Sequence, residues 1–395
     1  MSRKGICEEG KCTGCFACMK TCPVKCITKG KNEIQNTVPV IDDEKCIDCG
    51  ACRRVCPVNQ KQELKTPQAT YAAYAKEESV HVNSASGGVA TTISQSFIKN
   101  GGIVYGAAQK NGLVFEHIRI DSVDALHRAQ GSKYTHSHID QIYEMISKDL
   151  DDHKPVLFIG TPCQVAGIKN YVKDNKQELL YCIDLICHGV PDRNTFMEAM
   201  ELECKTENFN DYTISFRDHT GYSLKVRDKS GQVLHEKNLK NSYYYNGFME
   251  GYIYRHNCYS CEYARKERVG DLTLGDFWGL GDRIPFDGDK KNGINVVFVN
   301  SSKGDELIEN VRDALMIWER TLEEAVAGNG QLREPVKYGK VAEKFETISQ
   351  KEGIKKAILK CNPSKYAALQ IRRMINSNRI LRSVLTKIPA IRKKL

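Results

Sequence analysis

The sequence lacks an apolar segment long enough to cross a membrane. A spanning helix needs about 20 predominantly apolar residues, and polar or charged residues interrupt every hydrophobic stretch before that length. The N-terminus, Met1-Ser2-Arg3-Lys4, leads into polar, cysteine-rich sequence without the apolar core of a secretory signal. A secreted protein would instead pair its cysteines as disulfides. We therefore expect a cytoplasmic protein with reduced thiols.

Two further absences argue against particular classes of binding partner, namely nicotinamide cofactors and nucleic acids. No G-x-G-x-x-G follows a predicted strand, so the glycine fingerprint of NAD-binding folds is missing. This absence argues against a nicotinamide as the direct redox partner. No helix-turn-helix pattern is recognisable either, and we expect no nucleic-acid partner.

Cysteine, by contrast, is abundant, with 17 residues. Eight of them form two copies of the spacing C-x2-C-x2-C-x3-C-P, and the second copy lies 34 residues after the first. In bacterial ferredoxins with two clusters, three cysteines of such a run bind one 4Fe–4S cluster and the fourth binds the other. Zinc sites favour cysteine pairs or mixed Cys/His sets. We predict that cluster one is bound by Cys12, Cys15, Cys18 and Cys56, and cluster two by Cys46, Cys49, Cys52 and Cys22.

The fold class predicted from the sequence is α/β, and the chain length of 395 residues suggests two or three domains. The apolar run Pro155–Ile159, a helix from Cys163 to Val172 and the apolar run Leu179–Ile186 predict a βαβ unit, and hence a parallel sheet. Alternation over residues 211–235 predicts an antiparallel segment, and a mostly helical C-terminus follows. The proposed divisions are a dicluster ferredoxin-like module (1–66), the α/β body (67–300), a helical extension (301–350) and a basic tail (351–395).

Four further cysteines lie in the body. Cys163 lies where a predicted strand meets a helix, and Cys187 lies at the end of the next strand, so both should face the same edge of the sheet. Cys258 and Cys261 add a local pair. Four ligands are enough for a third cluster, although spacing alone is equally compatible with ordinary buried cysteines. The remaining cysteines are interpreted as structural or spare: Cys7, Cys26, Cys182, Cys204 and Cys361.

Several of these segments carry a family resemblance. They are Gly160–Gln164, Cys187–Pro191, Cys258-x2-Cys261 followed by Gly270–Gly279, Ser84–Gly88 and Gly131–Tyr134. Over about residues 70–300 the chain resembles the beta-subunit family of coenzyme F420 hydrogenases and dehydrogenases, in which a dicluster module is a frequent N-terminal fusion. The resemblance implies a flavin, usually FAD, beside a 4Fe–4S cluster held by Cys163, Cys187, Cys258 and Cys261.

Candidate flavin contacts follow from the same segments. Ser86-Gly87-Gly88 precedes a predicted helix, where backbone amides can hold a pyrophosphate; a simple helix cap is the alternative. Lys133 is a candidate to neutralise a phosphate or a reduced flavin, although most single lysines are merely solvated.

The expected function is that of an iron–sulfur flavoprotein oxidoreductase. It would exchange electrons between one-electron carriers and an unknown two-electron small-molecule substrate, with a redox partner protein such as a ferredoxin or a dehydrogenase subunit. The family context includes proteins encoded among surface-polysaccharide genes. The alternative is a non-catalytic electron-transfer or adaptor subunit.

The basic character of the chain belongs to its tail. Residues 351–395 hold 13 Lys and Arg against one acid, Glu352, whereas the formal charge of the whole chain is +9. Apolar residues recur near helical spacing among these charges from Ile371 to Ile388. Such a helix can lie on an anionic membrane surface. Nucleic-acid binding is the competing interpretation, and membrane contact is favoured because the apolar residues recur at helical spacing. Docking onto a partner protein is the other alternative.

The tail hypothesis is tested by vesicle sedimentation. The full chain should sediment with anionic vesicles at low salt, because each basic residue near such a surface contributes roughly 1 kcal/mol, and should be released at high salt. A chain ending at Glu352 should not sediment. Equal sedimentation of both chains would leave partner docking as the role of the tail.

Overall fold

The computed structural model describes residues 5–217, 221–239 and 241–361. The predicted amphipathic segment from Ile371 to Ile388 lies outside the described residues. Within these ranges, no helix combines the length and the apolar character needed to cross a membrane.

The strands of the described ranges form three sheets. They are β1 (Ile27–Lys31), β2 (Thr37–Ile41), β3 (Ala69–Ala75), β4 (Ile103–Lys110), β5 (Val114–Ile120), β6 (Val156–Gly160), β7 (Leu180–Leu185), β8 (Thr213–Ser215), β9 (Ser223–Arg227), β10 (Val233–Asn238), β11 (Leu272–Asp276), β12 (Asn295–Val299) and β13 (Leu315–Glu319).

The helices connect these strands and form the C-terminal part of the described chain. They are α1 (Ala17–Thr21), α2 (Ala51–Val55), α3 (Glu78–Val82), α4 (Val89–Lys99), α5 (Tyr143–Asp151), α6 (Pro162–Tyr171), α7 (Arg193–Cys204), α8 (Tyr243–Met249), α9 (Ser302–Glu309), α10 (Leu322–Gly328), α11 (Lys340–Glu352) and α12 (Ile354–Cys361). Short 3-10 helices cover Asn111–Leu113, Val123–Arg128, Asp174–Leu179, His256–Ser260, Arg312–Ala314 and Gly330–Leu332.

The body is built on an eight-stranded mixed sheet in the order β13-β3-β12-β11-β7-β6-β4-β5. Its centre is parallel, since β11 pairs with β7, β7 with β6 and β6 with β4 in that sense. The chain passes from β6 through α6 to β7, which is the predicted βαβ unit. Antiparallel strands complete both sides of the sheet. The α/β fold class is confirmed.

The two faces of this sheet form separate apolar cores. Along β6, Val156 and Phe158 pack on one face and Leu157 on the other, as the period of two along a strand requires. The first face is covered by α5, α6 and the N-terminal module, whose Ala17 and Val55 belong to the same core. The module therefore packs directly against the body.

A third core lies between the antiparallel segment and the C-terminal helices. The strands β8, β9 and β10 form the predicted antiparallel sheet. Phe216 and Leu224 of this region pack with residues of α7, α8, α11 and α12. One element was not expected from the sequence: β13 lies in the segment interpreted as helical, and its pairing with β3 makes it the edge of the main sheet.

The internal duplication of the sequence is also present in the backbone of the module. The helices α1 and α2 begin and end at positions 34 residues apart. Left-handed φ angles occur at Gly14 and Phe16 in the first copy, and at Asp48 and Gly50 in the second. Phe16 adopts this conformation although only glycine does so without cost.

A buried ion pair fixes the end of β7. Asp184 is fully buried and accepts a hydrogen bond of 2.9 Å from Arg268 Nη2, together with bonds from the amides of Val269 and Gly270. Arg268 Nη2 also donates to the Leu185 carbonyl at 3.0 Å. This network ties the segment after Cys261 to the strand before Cys187.

Removing one partner of this pair should be costly. Asp184→Asn leaves the Arg268 charge buried without a counter-charge, and we expect the free energy of unfolding to fall by roughly 3–5 kcal/mol. Glu309→Gln breaks the exposed Arg312 pair and should cost about 0–1 kcal/mol. Thermal unfolding followed by circular dichroism without oxygen compares the two variants; equal midpoints would contradict the stabilising role of Asp184.

Candidate functional site

The four cysteines assigned to cluster one lie close together: Cys12 and Cys15 precede α1, Cys18 belongs to α1, and Cys56 follows α2. Burial raises the pKa of Cys15 to about 12, and the neighbouring Cys12 and Cys56 act in the same direction. Burial also raises the pKa of Cys18, and the negative charges of Cys15, Cys12 and Cys56 raise it further. The four thiols are therefore close enough to affect one another's ionisation. Cys15, Cys18 and Cys56 are buried, and Cys12 is partly exposed.

The four cysteines assigned to cluster two line one pocket at the other end of the module. Cys22, Cys46, Cys49 and Cys52 share this pocket with apolar residues that include Ile47. Cys49 is exposed, in contrast to the buried cysteines of cluster one. The structure thus brings together each set of four that the spacing predicts.

Both sets have an additional thiol beside them. Cys26 Sγ lies 3.4 Å from Cys22 Sγ, and Cys7 hydrogen-bonds to Cys12 and Cys56. These bonds raise the pKa of Cys7. Cys7 and Cys26 fall outside the sequence repeat, which predicts no role for them, and a linear spacing does not indicate these contacts.

The backbone of the module suits an anionic cluster. Successive amides in loops that combine right-handed and left-handed residues form concave anion sites, as found around iron–sulfur clusters. The left-handed residues at Gly14 and Phe16, and at Asp48 and Gly50, lie within the cysteine runs of the two copies. Donor type and backbone conformation therefore both fit 4Fe–4S clusters.

In the body, Cys163 and Cys187 lie beyond the carboxyl ends of adjacent parallel strands. Cys163 is the second residue of α6, which follows β6 directly, and the turn is fixed by a bond of 3.1 Å from the Thr161 amide to Gln164 Oε1. Cys187 follows β7 by two residues, and its sulfur accepts a bond of 3.4 Å from the Gly189 amide. The predicted common edge is therefore present.

Cys258 and Cys261 complete a group of four body thiols. Cys258 lies in the 3-10 helix His256–Ser260. Burial raises the pKa of Cys258 well above its ordinary value, and Cys187, Cys261 and Cys163 raise it further. Burial likewise raises the pKa of Cys187 to about 12 and of Cys261 to about 11, with Cys163 as the next cause in both. The four thiols thus face one another and favour the protonated form in the absence of a positive charge.

Among the described residues, no three His, Cys, Asp or Glu side chains are arranged to hold a single metal ion. A 4Fe–4S cluster is a larger body whose four ligands each bind a different iron. A cluster site therefore requires four thiols near one another, and the sulfur atoms need not meet around a single ion. Four cysteines at one strand edge supply the complete ligand set of one cluster.

The N-terminal module is in direct contact with the helix that carries Cys163. A Cβ built on Gly167 of α6 would lie 3.2 Å from Cys15 Sγ, so the helix that carries Cys163 touches a cysteine assigned to cluster one. Tyr143 of α5 donates to the Cys15 carbonyl at 3.0 Å. The candidate sites for cluster one and for the body cysteines are therefore neighbours.

The Ser86–Gly88 loop lies at the same sheet edge as the body cysteines. Gly87 packs against the Ala73 carbonyl and the Asn295 amide so closely that a Cβ has no room. Gly88 has φ +81° and precedes α4 directly, as predicted. Ser86 Oγ is buried without a hydrogen-bond partner among the described residues. An unpartnered hydroxyl beside the N-terminus of an eleven-residue helix fits a bound phosphate group.

Lys133, the second candidate flavin contact, is bound by three backbone carbonyls. Its amine donates to the carbonyls of Ala129, Gln130 and Gly131 at 2.6–3.0 Å, and burial lowers its pKa to about 7. It lies on the β5 side of the sheet, near His117, whereas the Ser86–Gly88 loop lies against β3 and β12.

An aromatic and charged group covers the end of β11. Asp276 accepts a bond of 2.6 Å from Arg217 Nη1, and Arg217 lies over the Tyr222 ring at 4.9 Å. Tyr222 stacks on Trp278, whose side chain is 44% exposed. Arg217 and Tyr222 come from the antiparallel segment, so that segment forms one wall of the edge.

Sequence profiles of known families match three parts of the chain. Two of them describe the beta subunit of coenzyme F420 hydrogenase/dehydrogenase: the profile of its N-terminal region matches residues 70–144, and the profile of its C-terminal region matches residues 153–325. A 4Fe-4S dicluster domain matches residues 11–60. No curated protein sequence matches the chain.

Thirteen chains of solved structures are similar to it. One of them belongs to the F420-reducing [NiFe] hydrogenase complex from Methanosarcina barkeri in a xenon derivative. The two chains are 16% identical in sequence, and their superposition gives a TM-score of 0.46. The aligned region covers 74% of the present chain and 91% of the hydrogenase chain. The two beta-subunit profiles together cover more than half of the sequence. The chain therefore belongs to the coenzyme F420 hydrogenase/dehydrogenase beta-subunit family and carries an N-terminal 4Fe-4S dicluster domain.

Proposed function

We propose that this chain is an iron–sulfur flavoprotein oxidoreductase that moves electrons singly through three 4Fe–4S clusters and in pairs at FAD. The observation that carries the proposal is the convergence of Cys163, Cys187, Cys258 and Cys261 at the carboxyl edge of β6 and β7. We refer to the cluster assigned to these four cysteines as the body cluster. The proposed divisions are the dicluster module (1–66), the body (67–300), the extension (301–350) and the tail (351–395).

The contacts between the sites support an order of electron transfer. Cluster two has the exposed Cys49 and so faces external carriers. Cluster one is buried beside it, since Cys52 of the second set acts on Cys18 of the first. The body cluster comes next in this order, because α6 carries Cys163 near its start and contacts Cys15 of cluster one at Gly167. One-electron carriers would thus feed a two-electron site from the outside inwards.

The Ser86–Gly88 loop is the proposed holder of the flavin pyrophosphate. It touches Asn295 of β12, which is two strands from β7 in the sheet, or about 10 Å at ordinary strand spacing. A dinucleotide lying along this edge would therefore reach the neighbourhood of Cys187. Bound flavin supplies the conversion between one-electron and two-electron chemistry. The exposed Trp278 and the Arg217–Asp276 pair border the same edge and are proposed to face the small-molecule substrate.

A redox partner protein is proposed to dock at cluster two. Val24 and Ile47, 38% and 62% exposed, line the pocket of the cluster-two cysteines. Exposed apolar residues around an exposed ligand are suited to transient protein contact. The proposed location is cytoplasmic, with peripheral membrane contact through the tail, and the link to surface polysaccharides rests on the family resemblance alone.

One observation favours an adaptor subunit as the second candidate. The Lys133 amine is already bound by three carbonyls, so a flavin phosphate would have to replace those contacts. An adaptor would retain the clusters and bind no flavin. Flavin content therefore decides between the two functions.

The first prediction concerns the metal content. Protein purified without oxygen should contain about twelve irons and twelve acid-labile sulfides per chain, four of each per cluster. The Cys163→Ala, Cys258→Ala double variant should contain about eight of each. Cys182→Ala is the matched control, because Cys182 is a fully buried cysteine of β7 and is not among the proposed ligands. An unchanged iron content in the double variant would contradict the body cluster.

The second prediction concerns the flavin. Acid extraction should release about one FAD per chain, and Ser86→Ala should lower this content because it removes the hydroxyl proposed to bind phosphate. The same substitution should not destabilise the flavin-free protein, since the hydroxyl has no partner to lose. Ser94→Ala in α4 is the control, since its hydroxyl already donates to the Ala90 carbonyl at 2.7 Å.

Lys133→Ala extends the flavin test to the second predicted contact. A lower flavin content with an unchanged N-terminal cluster spectrum would support a flavin role for Lys133. Iron-replete protein that binds no flavin would overturn the flavoprotein proposal and leave the adaptor function.

A further inference from the structure

Arg255 lies at the junction between the dicluster module and the body cysteines. Its side chain is 1% exposed. Its backbone belongs to the body site, because its amide donates to the Val190 carbonyl at 2.9 Å and its carbonyl accepts from the Cys258 amide at 2.9 Å. The residue is thus anchored between the segments that carry Cys187 and Cys258.

The side chain of Arg255 extends into the N-terminal module. Nη2 donates to the Thr37 carbonyl at 3.0 Å and lies 3.5 Å from the Cys12 carbonyl. A Cβ built on Gly14 would lie 2.9 Å from Nη2, so the guanidinium rests on the loop between Cys12 and Cys15. The guanidinium of Arg255 therefore touches the loop of cluster one, while the backbone of the same residue binds the segments that carry Cys187 and Cys258.

The guanidinium has one counter-ion and one free donor. Asp192, also 1% exposed, binds Nη1 and accepts from the Thr37 amide at 2.9 Å and the Asn194 amide at 3.0 Å. Its carboxylate is therefore directed towards β2 and the start of α7. Arg255 Nε is buried and has no hydrogen-bond partner among the described residues. A buried cation with an unused donor is costly unless a further negative group faces it.

We propose that Arg255 is a positioning residue that raises the reduction potentials of cluster one and the body cluster together, by placing one positive charge beside both. A reduced cluster carries one more negative charge than the oxidised form, so a nearby cation stabilises the reduced state. Cluster two, at the exposed end of the module, lies outside this effect. The inference rests on the proposed clusters and adds how two of them are matched for electron transfer.

The electrostatic pattern of the cysteines agrees with this geometry. The hydrogen bond with Cys7 lowers the pKa of Cys12, and the Arg255 charge acts in the same direction. Burial raises the pKa of Cys163, and the Arg255 charge opposes that rise. The same charge that favours thiolates at both sites favours the more negative, reduced cluster at both. The negative charge of Asp192 partly offsets the positive charge of Arg255. Removing one or the other charge should therefore shift the reduction potentials in opposite directions.

The test measures the reduction potentials of all three clusters in the full holoprotein by redox titration with electron paramagnetic resonance. Arg255→Met should shift the reduction equilibrium of cluster one and of the body cluster by about tenfold towards the oxidised form, which is about 59 mV for one electron. Asp192→Asn leaves the cation unopposed and should shift both potentials upwards. Arg255→Lys keeps the charge and should leave both potentials near those of the natural chain.

Arg320→Met is the matched control, because Arg320 forms a buried ion pair with Glu324 and otherwise contacts Ile284 and Pro285. It should leave all three potentials unchanged. If Arg255→Met does not fold, Asp192→Asn alone decides by the direction of the shift.

The inference is overturned if the clusters are present and Arg255→Met leaves the potential of cluster one or of the body cluster unchanged. It is also overturned if Asp192→Asn lowers these potentials. A chain that contains no clusters would instead overturn the proposed function. The two failures are therefore distinguishable by iron content.

Discussion

Parallel strands end at a common edge of a sheet, and the arrangement of the candidate redox groups depends on that constraint. β6 delivers Cys163 and β7 delivers Cys187 to adjacent positions, because the crossover through α6 returns the chain in the same direction. β11 delivers Asp276 to the same edge, and its partner β12 begins there beside Gly87. Residues far apart in the sequence thus become neighbours without any long loop.

Two buried ion pairs hold the remaining cysteines to this edge. Arg268 and Asp184 join the segment after Cys261 to β7, and Arg255 and Asp192 join the segment before Cys258 to the N-terminal module. Burying charges is expensive unless their hydrogen bonds are satisfied. Both aspartates therefore also accept backbone amides. Cys258 lies in the short 3-10 helix His256–Ser260 and Cys261 directly follows it, so this anchoring determines the position of the pair.

The sequence predicted those features that depend on local spacing or strand order. The duplicated cysteine run, the βαβ unit and the antiparallel segment are of this kind, and the structure has all three. It did not predict β13, because a five-residue edge strand between helices has no periodic signal of its own. Nor did it indicate the role of Arg255 or the three carbonyl contacts of Lys133. A lone arginine or lysine carries no spacing, and its role depends on contacts over long sequence separations.

The two copies of the cysteine run differ in surroundings, and the body causes the difference. Both copies have the same ligand spacing and the same left-handed backbone positions. Yet Cys15 is 6% exposed beneath α6 and Tyr143, whereas its counterpart Cys49 is exposed. Potentials of iron–sulfur clusters respond to solvent exposure, hydrogen bonds and nearby charge. Duplication therefore supplied two equivalent sets of candidate ligands, and the packing of α6 and Tyr143 over Cys15, but not over Cys49, makes the first set the inner one and the second the outer one.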